Sequence, residues 1–179
     1  MPDWTVVATT HEQGFDRARQ LLGQFGHVVR ADYFNVLLLA PDDPGSFLER
    51  FAAMVENVPQ VMAVFSRVVP AAECFTFDGA EDFEARARDI VLGWAPRLYG
   101  RSFHVRMHRR GFKGRLSSQH EERFLDEALL ARLAAAGAPG RIDFEDPDAV
   151  IDVETVDNRA GLSFWTREDL KRYPFLKVD

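Results

Sequence analysis

Cysteine is nearly absent: Cys74 is the only one in 179 residues, so the chain can form no internal disulfide and carries no paired-cysteine zinc motif. A reducing, cytoplasmic setting is expected. Glycine (12) and proline (9) are sparse, which excludes collagen-like and low-complexity classes and predicts a chain folded throughout. No apolar run approaches the roughly 20 residues of a membrane helix, and Met1-Pro2-Asp3-Trp4 lacks the basic and apolar regions of an export signal. A chain that is neither exported nor membrane-spanning is expected. Positive charge is also in deficit, with 22 Lys and Arg against 28 Asp and Glu for a net charge of −6, which argues against a surface that coats nucleic acid or anionic lipid everywhere. GxSxG, P-loop, GxGxxG and paired Cys/His signatures are missing as well.

What is present is strong patterning. Residues 4–9 are β-rich, and Phe15, Ala18, Leu22 and Phe25 follow at helical spacing. A short strand at 27–30 and a stronger one at 34–40 come next. Phe47, Leu48, Phe51, Met54, Val55 and Val58 form a helix stripe, and 61–65 reads as a buried strand ending near Pro70. The order βαββαβ within this length predicts a ferredoxin-like sandwich over residues 1–75.

A second unit, 76–179, is expected to begin near Asp78, whose spacing to Glu81 suits an N-cap and its partner for a helix over 81–98. Phe103, Val105 and Met107 alternate with His104, Arg106 and His108, which predicts a strand with one core face and one basic face. Gly111 and Gly114 break it, and Ser118 with Glu121 repeats the capping spacing ahead of the apolar stripe Phe124, Leu125, Ala128, Leu129 and Leu133. Residues 150–156 and 162–165 read as a hairpin, followed by a short helix over 168–172. The fold class is therefore α+β.

The basic residues are concentrated. Between Arg97 and Arg123 there are eight Arg and Lys against only Glu121 and Glu122, an excess of six, so the rest of a chain of net charge −6 carries −12. Phosphate recognition needs positive potential only within a Debye length, about 8–10 Å. The loop 109–115 runs into the helix capped near Ser118, whose free N–H groups and dipole favour an anion. Phe112, set among Arg109, Arg110, Lys113 and Arg115, has the composition of a base-stacking element. The alternative is a solvated charged surface with Phe112 as a loop anchor.

Other constellations are weaker. His104 and His108 are about 13 Å apart on a strand, too far to share one ion with His120, so no metal site is expected. Asp143, Glu145, Asp146 and Asp148 read as a solvated turn rather than a calcium loop. Ser117 and Ser118 suit helix capping better than nucleophilic catalysis.

The strings 102–111 (SFHVRMHRRG), 117–121 (SSQHE), 146–154 (DPDAVIDVE) and 160–163 (AGLS) together resemble a THUMP domain. They are most similar to the THUMP-only group that includes proteins assisting tRNA cytidine acetylation. The resemblance spans nearly the whole chain, because the preceding ferredoxin-like unit is similar to the partner domain of THUMP in tRNA-modifying enzymes. It implies a non-catalytic adaptor, needing no cofactor, that grips the acceptor stem and unpaired 3′ end of tRNA for a separate modification enzyme, such as a tRNA cytidine acetyltransferase. On the matching positions the contacts fall to Arg106, Arg109, Arg110, Lys113 and Arg115, with Ser117, Ser118 and Gln119 at the helix start. Catalytic domains of the family are fused beyond THUMP, so a chain of these two domains is expected to carry none. Two other readings stay open: a protein–protein interaction module that has lost RNA binding, and a small enzyme working through the acidic cluster.

Overall fold

A computed structural model describes residues 3–178; Met1, Pro2 and Asp179, the outer ends of the two expected domains, lie outside it. The chain divides into two compact units, residues 3–71 with 172–177, and residues 72–171 with 178. The first contains β1 (Val6–Thr10), α1 (Phe15–Leu22), β2 (Gly26–Arg30), β3 (Val36–Pro41), α2 (Pro44–Asn57) and β4 (Phe65–Pro70). Its sheet has the order β2-β3-β1-β4, antiparallel throughout, which is the expected ferredoxin-like topology. β1 and the first four residues of β3 are buried almost throughout, with Val7 opposite both Leu38 and Val69. Aromatic rings fill the core: Phe51 lies 5.5 Å from Phe47 and Phe65, and 4.8 Å from Phe175.

Phe175 comes from the far end of the chain, a return that hydrophobic periodicity does not reveal. The Phe175 carbonyl accepts the Val68 N–H at 2.8 Å, while Arg172 and Tyr173 both bond the Glu49 carboxylate. The expected strand over 61–65 is corrected. Pro59–Ala63 is a 3₁₀ turn with i→i+3 bonds from Val61 to Val58 and from Val64 to Val61, and the strand starts only at Phe65. Proline at the turn's first position fixes φ for helical entry. Val61 is buried all the same, so its apolar character could not discriminate turn from strand.

Gly26 is required by close approach: a Cβ there would sit 2.2 Å from the Ala40 carbonyl oxygen and 2.8 Å from Pro41 Cα. Both obstacles are backbone in the paired strand. Gly26→Ala is expected to cost about 3 kcal/mol of stability, read as a lower urea midpoint with unchanged slope.

The second unit contains β5 (Glu73–Thr76), α3 (Ala80–Gly93), β6 (Ser102–Arg110), α4 (Ser118–Ala135), β7 (Arg141–Ile142), β8 (Ala149–Val156) and β9 (Arg159–Thr166), followed by α5 (Arg167–Arg172). Its sheet is mixed, in the order β5-β9-β8-β6-β7, with β6 parallel to β7 and β8. Phe83, Ala87 and Val91 from α3 and Leu125, Leu129 and Leu133 from α4 bury against Phe103, Val105, Ile151 and Val153. Residues 73–75, expected to end the first unit, pair instead with β9, Glu73 opposite Leu162. α3 stops at Gly93 rather than 98, because Pro96 cannot donate an N–H and the chain tightens into a 3₁₀ turn over Ala95–Leu98. Its N-cap is Gly79, not Asp78; the Asp78 N–H instead donates to the Asp82 carboxylate at 3.0 Å. Among the described residues no helix is long and apolar enough to cross a membrane.

Candidate nucleic-acid interface

β6 carries Arg106, Arg109 and Arg110 of the sequence-selected residues, and only part of its expected basic face is exposed. Phe103, Val105 and Met107 are buried as expected. His104 is buried too, its ring 5.5 Å from that of Phe144. His108 Nε2 is bonded to the Val178 carbonyl at 3.0 Å and lies 3.4 Å from the buried Asp152 carboxylate. Arg106 alone of the alternating outward set is open to solvent, with its side chain 49% exposed and 4.0 Å from Glu122. Arg110 turns inward: its side chain is 13% exposed and pairs with buried Glu154 at 3.2 Å. It is engaged in holding β6 to β8, where His108 stands opposite Glu154.

The loop after β6 is built by left-handed residues. Gly111, Phe112 and Gly114 have φ of 91°, 55° and 80°, and the Arg115 and Leu116 N–H groups both donate to the Phe112 carbonyl at 2.9 Å. Arg109 donates to the Gly111 carbonyl. This closed turn projects Lys113 and Arg115 outward. Phe112, expected to stack on a base, is half-buried 5.2 Å from Phe77, with the Arg115 guanidinium 4.4 Å over its ring. The arginine covers the face that a base would need. Phe112 anchors the loop.

The helix start differs by one residue from the sequence reading. Ser117, not Ser118, is the N-cap of α4, its Oγ accepting the His120 N–H at 3.3 Å. A cleft of about 490 Å³ lies there, bringing together Arg109, Arg115, Ser117, Ser118, Gln119 and His120. Cations from the loop thus meet the free N–H end of an 18-residue helix, an arrangement suited to a phosphate. Arg106 lines a neighbouring cleft with Phe144 and Arg123.

Asp126 was not singled out in the sequence, and Glu121 and Glu122 take places in α4 that the sequence reading did not assign them. β7 covers β6 only at Ser102 and Phe103, so the next N–H groups along that edge need other acceptors. Asp126 takes the Val105 N–H at 2.9 Å and Glu122 takes the Met107 N–H at 2.8 Å. The i,i+4 step of a helix, about 6 Å, matches the i,i+2 step of a strand, about 6.6 Å. That coincidence was legible, but only once α4 was known to lie along β6. Burial drives the Asp126 carboxyl up to about 7, partly opposed by its bond from Val105 and reinforced by Glu122 and Glu127. Glu121, read as a capping partner, is buried instead and is pushed up to about 8 by burial first and then by Glu84 beside it.

The acidic run 143–148 is a closed turn. Asp143 Oδ1 accepts the N–H groups of Glu145 and Asp146, and Arg167 pairs with Asp146 at 2.9 Å and Asp148 at 3.3 Å.

A ferredoxin-like antiparallel sheet and a mixed five-stranded sheet with a basic loop at a helix start define an α+β class. The same fold occurs in solved structures. TrmN from Thermus thermophilus matches with a TM-score of 0.57 at 18% identity, over 89% of this chain and 44% of its own. PH1313 from Pyrococcus horikoshii matches with 0.59 at 12%, over 90% and 54%. A 4-thiouridine synthetase in complex with RNA and bound ATP matches with 0.52 at 13%, over 90% and 41%. The chain therefore spans roughly half or less of each of these proteins. The sequence matches no family model and no curated protein.

Proposed function

We propose that the second unit is a THUMP-like RNA-binding domain and that the chain binds tRNA at its unpaired 3′ end and acceptor stem. The observation that carries this reading is the cleft in which Arg109 and Arg115 meet the capped start of α4 at Ser117, Ser118 and Gln119. Lys113, exposed at the loop tip, and Arg106, exposed on β6, extend the positive surface. Support of a second kind comes from the fold shared with a synthetase crystallised with RNA. Phosphate contacts position an RNA without reading its sequence, which suits a domain that must accept a common 3′ end. Arg110 and Phe112 contribute by holding the loop rather than by touching RNA.

The modification chemistry is supplied by a separate enzyme, to which this chain presents the tRNA. Ser117 and Ser118 are committed to beginning a helix, and the carboxylates of Asp126 and Glu122 are committed to the β6 edge. Filter binding of the full chain to an unmodified tRNA transcript, beside a blunt RNA duplex of the same length, tests the reading. Saturable binding with preference for the tRNA is expected. Equal binding to both, or none at low salt, leaves a protein-interaction module as the account of the charged loop.

A further inference from the structure

One wall of the same cleft gathers three side chains of metal-ligand type. Glu84 of α3, and His120 and Glu121 of the first turn of α4, each offer a ligand atom, all within 4.8 Å of one another. His120 Nε2 is 3.4 Å from Glu84 Oε1 and 3.9 Å from Glu121 Oε1. Bonds of about 2.0–2.2 Å in a tetrahedron hold neighbouring ligand atoms about 3.4 Å apart. The two separations from His120 match that spacing to within about half an ångström, and the carboxylate pair lies within 4.8 Å, inside the reach of a side-chain rotation.

The second observation concerns Glu121 itself. It is 1% exposed, and its buried Oε2 receives no hydrogen bond. A carboxylate in that state is costly unless a proton shared with Glu84 or a bound cation neutralises it. Among the described residues no Arg or Lys pairs with it; the neighbouring groups are Glu84 and the exposed imidazole of His120. The second cluster of this type, His108, Asp152 and Glu154, differs on this point, because Arg110 already supplies a positive charge 3.2 Å from Glu154.

We propose that Glu84, His120 and Glu121 bind a divalent transition-metal ion of the zinc class, with its fourth position open to the cleft. One imidazole and two carboxylates favour zinc, cobalt or manganese over magnesium and calcium, which prefer all-oxygen sets. The metal would neutralise the one acidic wall of a cleft otherwise lined by cations and N–H groups. The proposal does not depend on RNA binding.

The test is calorimetric titration of the metal-stripped full chain with Zn²⁺, with the absorption of added Co²⁺ as a second readout. Wild type is expected to bind one ion. Outer-shell partners of metal sites already contribute about 10- to 100-fold in affinity, so loss of a direct ligand in Glu121→Gln or His120→Ala is expected to weaken binding by at least about 100-fold. His108→Ala should bind as wild type. The His120 side chain is 67% exposed, so its removal leaves the fold intact if Glu121→Gln does not. Absence of binding in wild type, binding that survives loss of His120, or loss of binding in His108→Ala would each overturn the proposal.

Discussion

Simultaneous replacement of Arg106, Lys113 and Arg115 by alanine is expected to flatten the salt dependence of tRNA binding by about 2 on a log–log plot. Each phosphate contact on a single strand contributes a slope of about −0.7 through counterion release. These three cations are the solvent-exposed members of the set read from the sequence. Over a fourfold rise in salt, a slope change of 2 corresponds to roughly a 16-fold difference in how far affinity falls. The measurement is a filter-binding series from low to moderate salt, with thermal melting to verify the fold. A slope identical to wild type would assign these residues to ordinary solvated surface. Arg110 is left out of the variant because its guanidinium pairs with buried Glu154, and removing that positive charge would confound binding with stability.

Glu121→Gln is expected to stabilise the protein at pH 8 by an amount on the order of 3 kcal/mol in the presence of a chelator, with much less effect at pH 5. The folded-state carboxyl sits at about 8 against an ordinary value of 4.5. Between those values the folded state holds a proton that the unfolded chain has released, so wild-type stability falls as pH rises through the window. Glutamine has no proton to lose, and the variant escapes that fall. Asp126, raised to about 7 from 3.8, adds a parallel decline in both proteins up to neutral pH. Urea unfolding at the two pH values measures the difference. Equal pH dependence in wild type and variant would show that Glu121 ionises freely in the folded protein.

The elements legible in the sequence were those whose own periodicity or turn residues define them. The βαββαβ order, the alternation of Phe103, Val105 and Met107, and the β8–β9 hairpin with Asp157 at a φ of 51° all fall in this group. What stayed hidden depended on partners distant in the chain. Residues 73–76 become a strand only because β9 is there to pair with them, and Phe175 enters the first core through a bond to Val68. Burial alone could not separate the turn at Pro59–Ala63 from a strand, since both hide their apolar side chains.

The same distinction applies to the site. Charge counting singled out the stretch between Arg97 and Arg123, but it could not tell which of its cations are paired within the fold. Arg110 and Arg106 look alike in sequence, yet one is inside and the other outside. Phe112 has the composition of a stacking residue, and only the positions of Phe77 and Arg115 reveal it as an anchor. Glu121 was counted as an opposing surface charge, whereas it is buried beside Glu84 and His120.

The central claim, that the chain holds tRNA at its unpaired 3′ end, is tested most directly by competition. A labelled intact tRNA bound to the full chain is displaced with unlabelled intact tRNA, or with the same tRNA trimmed of its unpaired 3′ nucleotides. The account predicts that the trimmed tRNA competes at least about tenfold less well, since losing two phosphate contacts removes about that much at moderate salt. Equal competition by the two would contradict it.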